Sequence, residues 1–472
     1  MLGIWFVIYV IAIIEQNNCH GLEVNCIKTL NKRVYNFKFT EEHVTPYTDI
    51  TFEIPDNECY IDERIVLEEN DTLVIVPPSP ERLITTITFS QPSTLPAFPI
   101  TIFQTFPNVS QVKLISTGIE VLEENDFLNA ATMKNLHMEL NYIRLISKTS
   151  FANAISLEEL KMPANRIQIV ENFSFETLKN LTKLDLQQNN LTNLTENLLA
   201  GADNLREIYL NDNQIDTIAD GALYSESLER IYLQDNRLKV LSMDLLTGTP
   251  SLYGIDLSGN QLVSINGIFN KCSNLTVIGL KQNILETIDL MEFASLPSLM
   301  MLSLESNHLK FNASNIQFES IVSNALAKHK KWMSSKTHLE YLNLDSNNLS
   351  SSQILHQLSI FKRLKFLDLD DNQLKQIDDL KIVRNIFPYF IQLNVNNNSL
   401  SCAWLEDVVP VIRKQGIILN TVEIDDDDDD DDDDSNESNE ENFHQKQVFN
   451  IPCSDDTADD KSNTTTTPDA TE

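Results

Sequence analysis

The sequence predicts an α/β solenoid, a stack of coils that each contribute one short strand to a parallel sheet. Three observations predict it. Residues 181–262 read LTKLDLQQNNLTNL, LREIYLNDNQIDTI, LERIYLQDNRLKVL and LYGIDLSGNQL, one pattern returning every 23 or 24 residues. Within each copy apolar residues alternate with period two, which makes a short strand with a single buried face. One such strand cannot bury its leucines alone, whereas a stack of them shares a continuous core. The third observation is an asparagine at the same place in every copy. Its amide carries two donors and an acceptor, enough to satisfy backbone groups where each coil turns out of its strand.

Taken in order, the chain opens on an apolar run, residues 2–14, too short to span a membrane, which takes about 20 residues. Polar residues and small side chains at 19 and 21 follow, so 1–21 is expected to be a cleaved signal peptide. No later stretch is long and apolar enough to span, and a secreted, extracellular location is expected. Residues 22–80 alternate apolar and polar residues between turn formers and are expected to form an N-terminal cap of antiparallel strands.

The repeats run over 81–400, roughly 13 coils, the first two degenerate with Pro92 and Thr117 at the ladder position. From there the ladder is Asn141, Asn165, Asn189, Asn213, Asn236, Asn260, Asn283, Asn307, Asn347, Asn372 and Asn398. The step from Asn307 to Asn347 is 40 residues. The surplus, near 316–335, has helical periodicity and carries the basic group Lys328, His329, Lys330 and Lys331 beside Trp332. A C-terminal cap is expected over 401–455, interrupted by an acidic loop, 425–447, that begins with the aspartate run Asp425–Asp434. Residues 456–472 read as a disordered tail.

Cysteine placement fits export. Cys26 and Cys59 precede the repeats and Cys402 and Cys453 follow the last strand, so disulfides Cys26–Cys59 and Cys402–Cys453 are expected to staple the caps. Cys272 is left over, expected as a buried thiol. Twelve Asn-x-Ser/Thr sequons are present, among them Asn70, Asn172, Asn190, Asn274 and Asn348, candidate glycosylation sites.

The net charge of −34 argues against nucleic acid as a partner. Half of it lies in residues 425–472, with 19 acidic and 2 basic residues, where the aspartates repel one another and stay solvated. No catalytic motif is present: no His-Glu-x-x-His, no Gly-x-Ser-x-Gly, no phosphate loop and no paired Cys-x-x-Cys. No enzyme activity, cofactor or metal site is therefore expected. What remains is surface. Residues six, four and two places before each ladder position project from the strand away from the core. In those slots Tyr209 and Tyr232 stand in adjacent coils with Arg230 beside them and Glu207 at the edge, and Tyr and Arg are types enriched at binding hot spots. Further on the face turns acidic around Tyr341 and Phe366. These six residues are the candidate partner-binding set, for an extracellular protein partner.

With those residues in view, the chain resembles the secreted animal leucine-rich repeat proteins, through its repeats over 83–400 and the Cys402-x-Trp404-Leu405 that follows. The resemblance implies a leucine-rich repeat horseshoe with a parallel concave sheet and disulfide-stapled caps. It is also similar to the leucine-rich repeat immune proteins of mosquitoes, which implies protein recognition in innate immunity. Those proteins continue into a heptad coiled coil, where this chain has its aspartate run and Thr-rich tail, so pairing through such a coil does not carry over. A matrix or cell-surface adhesion role is the alternative that the same fold allows.

Overall fold

The computed structural model describes residues 21–25, 29–34, 48–53, 58–61, 72–76, 83–89, 92–95, 97–265, 267–310, 337–420, 447–448 and 451–454. The expected leader up to residue 20, Cys26, Asn70, the 316–335 insertion, the aspartate run and the 456–472 tail lie outside the described residues. The chain forms two compact units, Met1–Ile255 and Asp256–Glu472.

In the first unit eight strands pair in chain order, every pair parallel: Glu58–Ile61, Thr86–Phe89, Gln111–Leu114, Asn135–His137, Glu159–Lys161, Lys183–Asp185, Glu207–Tyr209 and Arg230–Tyr232. The second unit repeats the arrangement with Val277–Gly279, Met301–Ser303, Tyr341–Asn343, Phe366–Asp368, Gln392–Asn394 and Ile418–Asn420. Strand centres such as Leu160, Leu184, Ile208, Leu302 and Leu342 are fully buried, and the residues on either side lie on the opposite face, most of them half-buried and Asp185 and Asn343 buried. Behind the strands the coils return through turns and short helices, and in some successive coils buried phenylalanines stack on one another. Phe127 and Phe151 lie 5.4 Å apart by ring centroid, Phe151 and Phe175 6.3 Å.

The asparagine ladder is buried throughout, and its bonds link each coil to the one before. Asn213 donates to Leu210 O of its own coil at 3.1 Å and to Leu186 O of the preceding coil at 3.0 Å. Its Oδ1 accepts from Leu191 N at 3.0 Å, the amide that opens the preceding coil's exit turn. Thr117, at a degenerate ladder position, gives both its backbone N–H and its hydroxyl to Asn141 Oδ1, each at 3.0 Å. The residue before each ladder asparagine is left-handed, from Leu140 (φ 59°) to Asn397 (φ 50°), and only at Gly259 is it a glycine. A left-handed residue costs a non-glycine side chain about 1 kcal/mol or more, so the ladder bonds hold a turn the backbone alone disfavours. Ladder bonds cross the long step as well, since Asn347 donates to Leu304 O at 3.0 Å and accepts from Leu309 N at 3.0 Å.

The caps differ from the expected ones in one respect. Thr29–Val34 and Thr48–Glu53 are antiparallel, but Gly21–Asn25 pairs with Thr72–Val76 in parallel. Glu58–Ile61 is already the first rung of the repeat sheet. The alternation that suggests a hairpin is the same alternation any half-buried strand shows, so period two alone does not set direction. Cys59 is buried and disulfide-bonded. At the other end Cys402 is bonded to Cys453, across a separation of 51 residues. It sits at the start of the amphipathic helix Cys402–Lys414, which buries Leu405, Val408, Val409 and Ile412. Cys272 is free and buried, and burial pushes its thiol up to about 11.

Two predictions follow from the ladder and the turns. Asn213→Ala removes three buried hydrogen bonds; Leu186 O and Leu210 O keep Asn189 and Asn236 as donors, the Leu191 amide is left unmet, and denaturant unfolding should show a loss of about 3 kcal/mol. A loss below about 0.5 kcal/mol would mean that the coil corner does not depend on its amide. Asp126 is buried and accepts from Glu123 N at 2.7 Å. Burial, against that bond, raises its pKa from 3.8 to about 6. Its folded pKa exceeds the unfolded one, so this group's contribution is complete below pH 3.8 and is lost as pH rises through about 6. Asp126→Asn, which keeps an acceptor, should therefore raise the melting temperature at neutral pH and leave it nearly unchanged below the aspartate range. Equal shifts at both pH values would contradict this.

Candidate functional site

On the solvent face of the first unit, the parallel register puts equivalent slots of neighbouring coils side by side. Glu207 lies opposite Arg230, and Tyr209 opposite Tyr232. The two tyrosine rings stack with centroids 4.5 Å apart and planes 12° apart. Glu207, read in the sequence as the edge of the set, is its centre. Its carboxylate accepts from the Tyr209 hydroxyl at 2.9 Å and from the Arg230 guanidinium, and it lies 3.8 Å from Lys183 Nζ. The Lys183 ammonium sits over the Tyr209 ring at 4.7 Å, and the Arg230 guanidinium over the Tyr253 ring at 4.7 Å. Gly254, in the slot beside Arg230, has no side chain to crowd it; a Cβ there would meet Arg230 Cγ at 3.7 Å.

The electrostatics follow from this geometry. Burial alone would raise the Glu207 pKa, but hydrogen bonds from Tyr209 and Arg230, with the Lys183 charge, outweigh it and hold the carboxyl below its ordinary range. Burial and then the bond to Glu207 push the Tyr209 hydroxyl well above the ordinary tyrosine range. The cluster joins one carboxylate, two cations and three tyrosine rings through contacts within the chain. Next to it Gln234 Oε1 is buried, and among the described residues no donor meets it.

Two members, Lys183 and Tyr253, are absent from the set read in the sequence. Lys183 occupies an outward slot one coil before Glu207, and the signal was its opposite charge directly across the strand. Tyr253 lies seven places before its ladder asparagine, outside the slots that were read. In the second unit the register sets Tyr341 beside Phe366, with ring centroids 6.5 Å apart. Of the candidate glycosylation sites, Asn172 and Asn274 are exposed, and Asn190 and Asn348 are half-buried. Among the described residues no group of three or more His, Cys, Asp or Glu side chains is placed to hold a metal ion. No helix among them is long and apolar enough to cross a membrane.

The model of the BspA-type leucine-rich repeat region matches residues 120–244 in six copies, and a second leucine-rich repeat model matches 265–309. The chain carries leucine-rich repeats over these residues. Its fold is similar to the leucine-rich repeat domain of the mosquito protein APL1, with TM-score 0.60 and 17% identity over 92% of this chain and 99% of that one. The LRIM1/APL1C complex aligns at TM-score 0.57 and 17% identity, covering 84% of this chain and 70% of that one. The Toll–Spatzle complex of Drosophila in its glycosylated form gives TM-score 0.52 and 21% identity over 75% of this chain. This chain spans 55% of that Toll chain, about half the receptor's length. No curated protein matches the chain by sequence.

If Glu207 holds the Tyr209 hydroxyl, Glu207→Gln should lower its pKa toward the ordinary range. Nitration with tetranitromethane at mildly alkaline pH proceeds through the phenolate and can be mapped by peptide mass spectrometry. Tyr209 should resist it in the parent, while the exposed Tyr224 reacts, and become reactive in the variant. Equal Tyr209 nitration in parent and variant would show that Glu207 does not control it.

Proposed function

We propose that this chain is a secreted, non-enzymatic scaffold that binds an extracellular protein through the solvent face of its strands, in innate immune recognition. The observation that carries the reading is the cluster of Glu207, Tyr209, Arg230 and Tyr232, joined by Lys183 and Tyr253. Two stacked aromatic rings and a guanidinium, already ordered by a shared carboxylate, lose little conformational entropy on binding. The aromatic faces desolvate cheaply and the polar tips pair with a partner's backbone.

Secretion is supported by the apolar leader followed by small residues, and by disulfides at Cys59 and at Cys402–Cys453, which persist in oxidising compartments. The immune assignment rests on likeness of fold to proteins whose structures were solved as APL1, LRIM1/APL1C and Toll–Spatzle. The strong negative charge disfavours a polyanionic ligand.

Binding is tested by immobilising the full chain and a Tyr209→Ala/Tyr232→Ala double variant and comparing the proteins each retains from extracellular fluid. A partner held by the parent should be retained at least about tenfold less by the double variant, by hot-spot precedent, with the melting temperature unchanged. Equal retention by both would move the site elsewhere.

A further inference from the structure

The solvent faces of the two units are charged differently. In the first unit the outward slots carry Lys113, Lys161, Lys183 and Arg230 against Glu139, Glu159, Asp185 and Glu207, four cations to four carboxylates. They pair internally, as Lys161 does with Glu159 at 2.9 Å, and two of the cations also lie over tyrosine rings. The same slots of the second unit carry Asp256, Glu305, Asp345, Asp368 and Asp370 against one cation, Lys281. Lys281 is itself engaged, ion-paired to Glu305.

The rings differ in the same way. Tyr341 and Phe366 stand side by side on adjacent strands, half-buried, and among the described residues no cation lies over either ring. Of the carboxylates beside them, Glu305 is paired with Lys281, while Asp368 and Asp370 are held in place rather than neutralised. Asp368 accepts from Asn394 Nδ2 at 2.7 Å and Asp370 from Asn396 N at 2.6 Å, while Glu305 accepts from Asn343 Nδ2 at 3.2 Å. Asparagine amides orient these oxygens without supplying charge. The first unit therefore combines ring, carboxylate and cation within one chain, and the second has the ring and the carboxylates without the cation.

We propose that the Tyr341–Phe366 pair and its ring of carboxylates dock an arginine- or lysine-bearing segment of a partner protein, the cation lying over a ring and between Asp345 and Asp368. A guanidinium there gains cation–π attraction from the ring and relieves repulsion among carboxylates on adjacent strands. The same repulsion adds to burial in raising the carboxyls of this face. Burial and then the Asp368 charge push Asp370 up to about 6. Burial, followed by Asp368, Asp371 and Glu305, also raises Asp345, with the Ser346 hydroxyl opposing. Docking therefore weakens as pH falls through about 6, because Asp370 then becomes neutral. The proposal shares with the preceding section the reading of the solvent face as a binding surface, but it does not depend on the tyrosine cluster of the first unit.

The test uses the full chain and a blocked tri-arginine peptide carrying a photoreactive benzophenone, with cross-links located by peptide mass spectrometry. A citrulline peptide of the same shape, which lacks the charge, is the control. Cross-links should fall on peptides containing Tyr341–Asp370 and be absent with citrulline. They should drop about fivefold in Phe366→Leu and in Asp345→Asn, the size of one cation–π contact or one carboxylate partner. They should also weaken just below pH 6, as Asp370 becomes neutral. Tyr209→Ala/Tyr232→Ala should leave them unchanged, which separates failure here from failure of the first site. Cross-links confined to the aspartate run overturn the proposal. So do cross-links at Tyr341–Asp370 that ignore both substitutions, cross-links there that Tyr209→Ala/Tyr232→Ala abolishes, and a complete lack of labelling.

Discussion

Everything on the solvent face depends on a side chain that never reaches it. Each ladder asparagine ties the end of its own strand to the exit turn of the preceding coil, as Asn236 does with Leu233 O, Leu210 O and Ile215 N. Each bond contributes only about 1 kcal/mol net, but leaving the same groups buried and unmet costs more. The constraint is therefore positional. Every coil must leave its strand at one corner, through one left-handed residue, and so every coil presents its outward slots in register with its neighbours. Tyr209 meets Tyr232, and Glu207 meets Arg230, because the asparagines place their backbones so.

Register turns a one-dimensional pattern into a two-dimensional surface, and the surface is graded by charge. Where opposite charges fall in adjacent slots the face neutralises itself and orders its aromatic rings. Where like charges fall together the face stays polarised, and desolvation drives carboxyl pKa values up, Asp370 furthest among them. Outside the slots, Lys134–Glu158, Arg206–Glu229 and Lys365–Glu340 pair across coils at 2.8, 3.1 and 2.7 Å. These pairs are largely exposed and contribute little to stability. They do shield the strand margins from unpaired charge, so the unbalanced carboxylates of the second unit stand out against a compensated surround.

Much of this was legible before the coordinates. The repeat, the parallel sheet and the buried ladder follow from period and amide chemistry, and the pairing of Tyr209 with Tyr232 follows from counting back from Asn213 and Asn236. Four features were not legible, each for a physical reason. The direction of the strand Glu58–Ile61 depends on which neighbour it meets, and alternation is blind to that. The central role of Glu207 depends on side-chain torsions that bring Tyr209, Arg230 and Lys183 to a single carboxylate. Tyr253 joins because the Arg230 side chain turns to lie over its ring, a torsion that the slot pattern does not encode. The left-handed residue before each asparagine was written once, at Gly259, and is hidden elsewhere behind Leu140, Ala164 and Gln188.

The central claim is that the tyrosine cluster is a preformed surface held by the ladder beneath it, and native-state hydrogen exchange tests it most directly. The amides of Leu186 and Leu210 donate to Tyr209 O and Tyr232 O, and those of Leu191 and Ile215 donate to the ladder oxygens of Asn213 and Asn236. If the ladder and the strands are one cooperative structure, all four should exchange together, at the slow rate of global unfolding. Fast exchange at Leu191 and Ile215 while Leu186 and Leu210 stay protected would contradict it, because the corners would then open independently of the face they are said to hold.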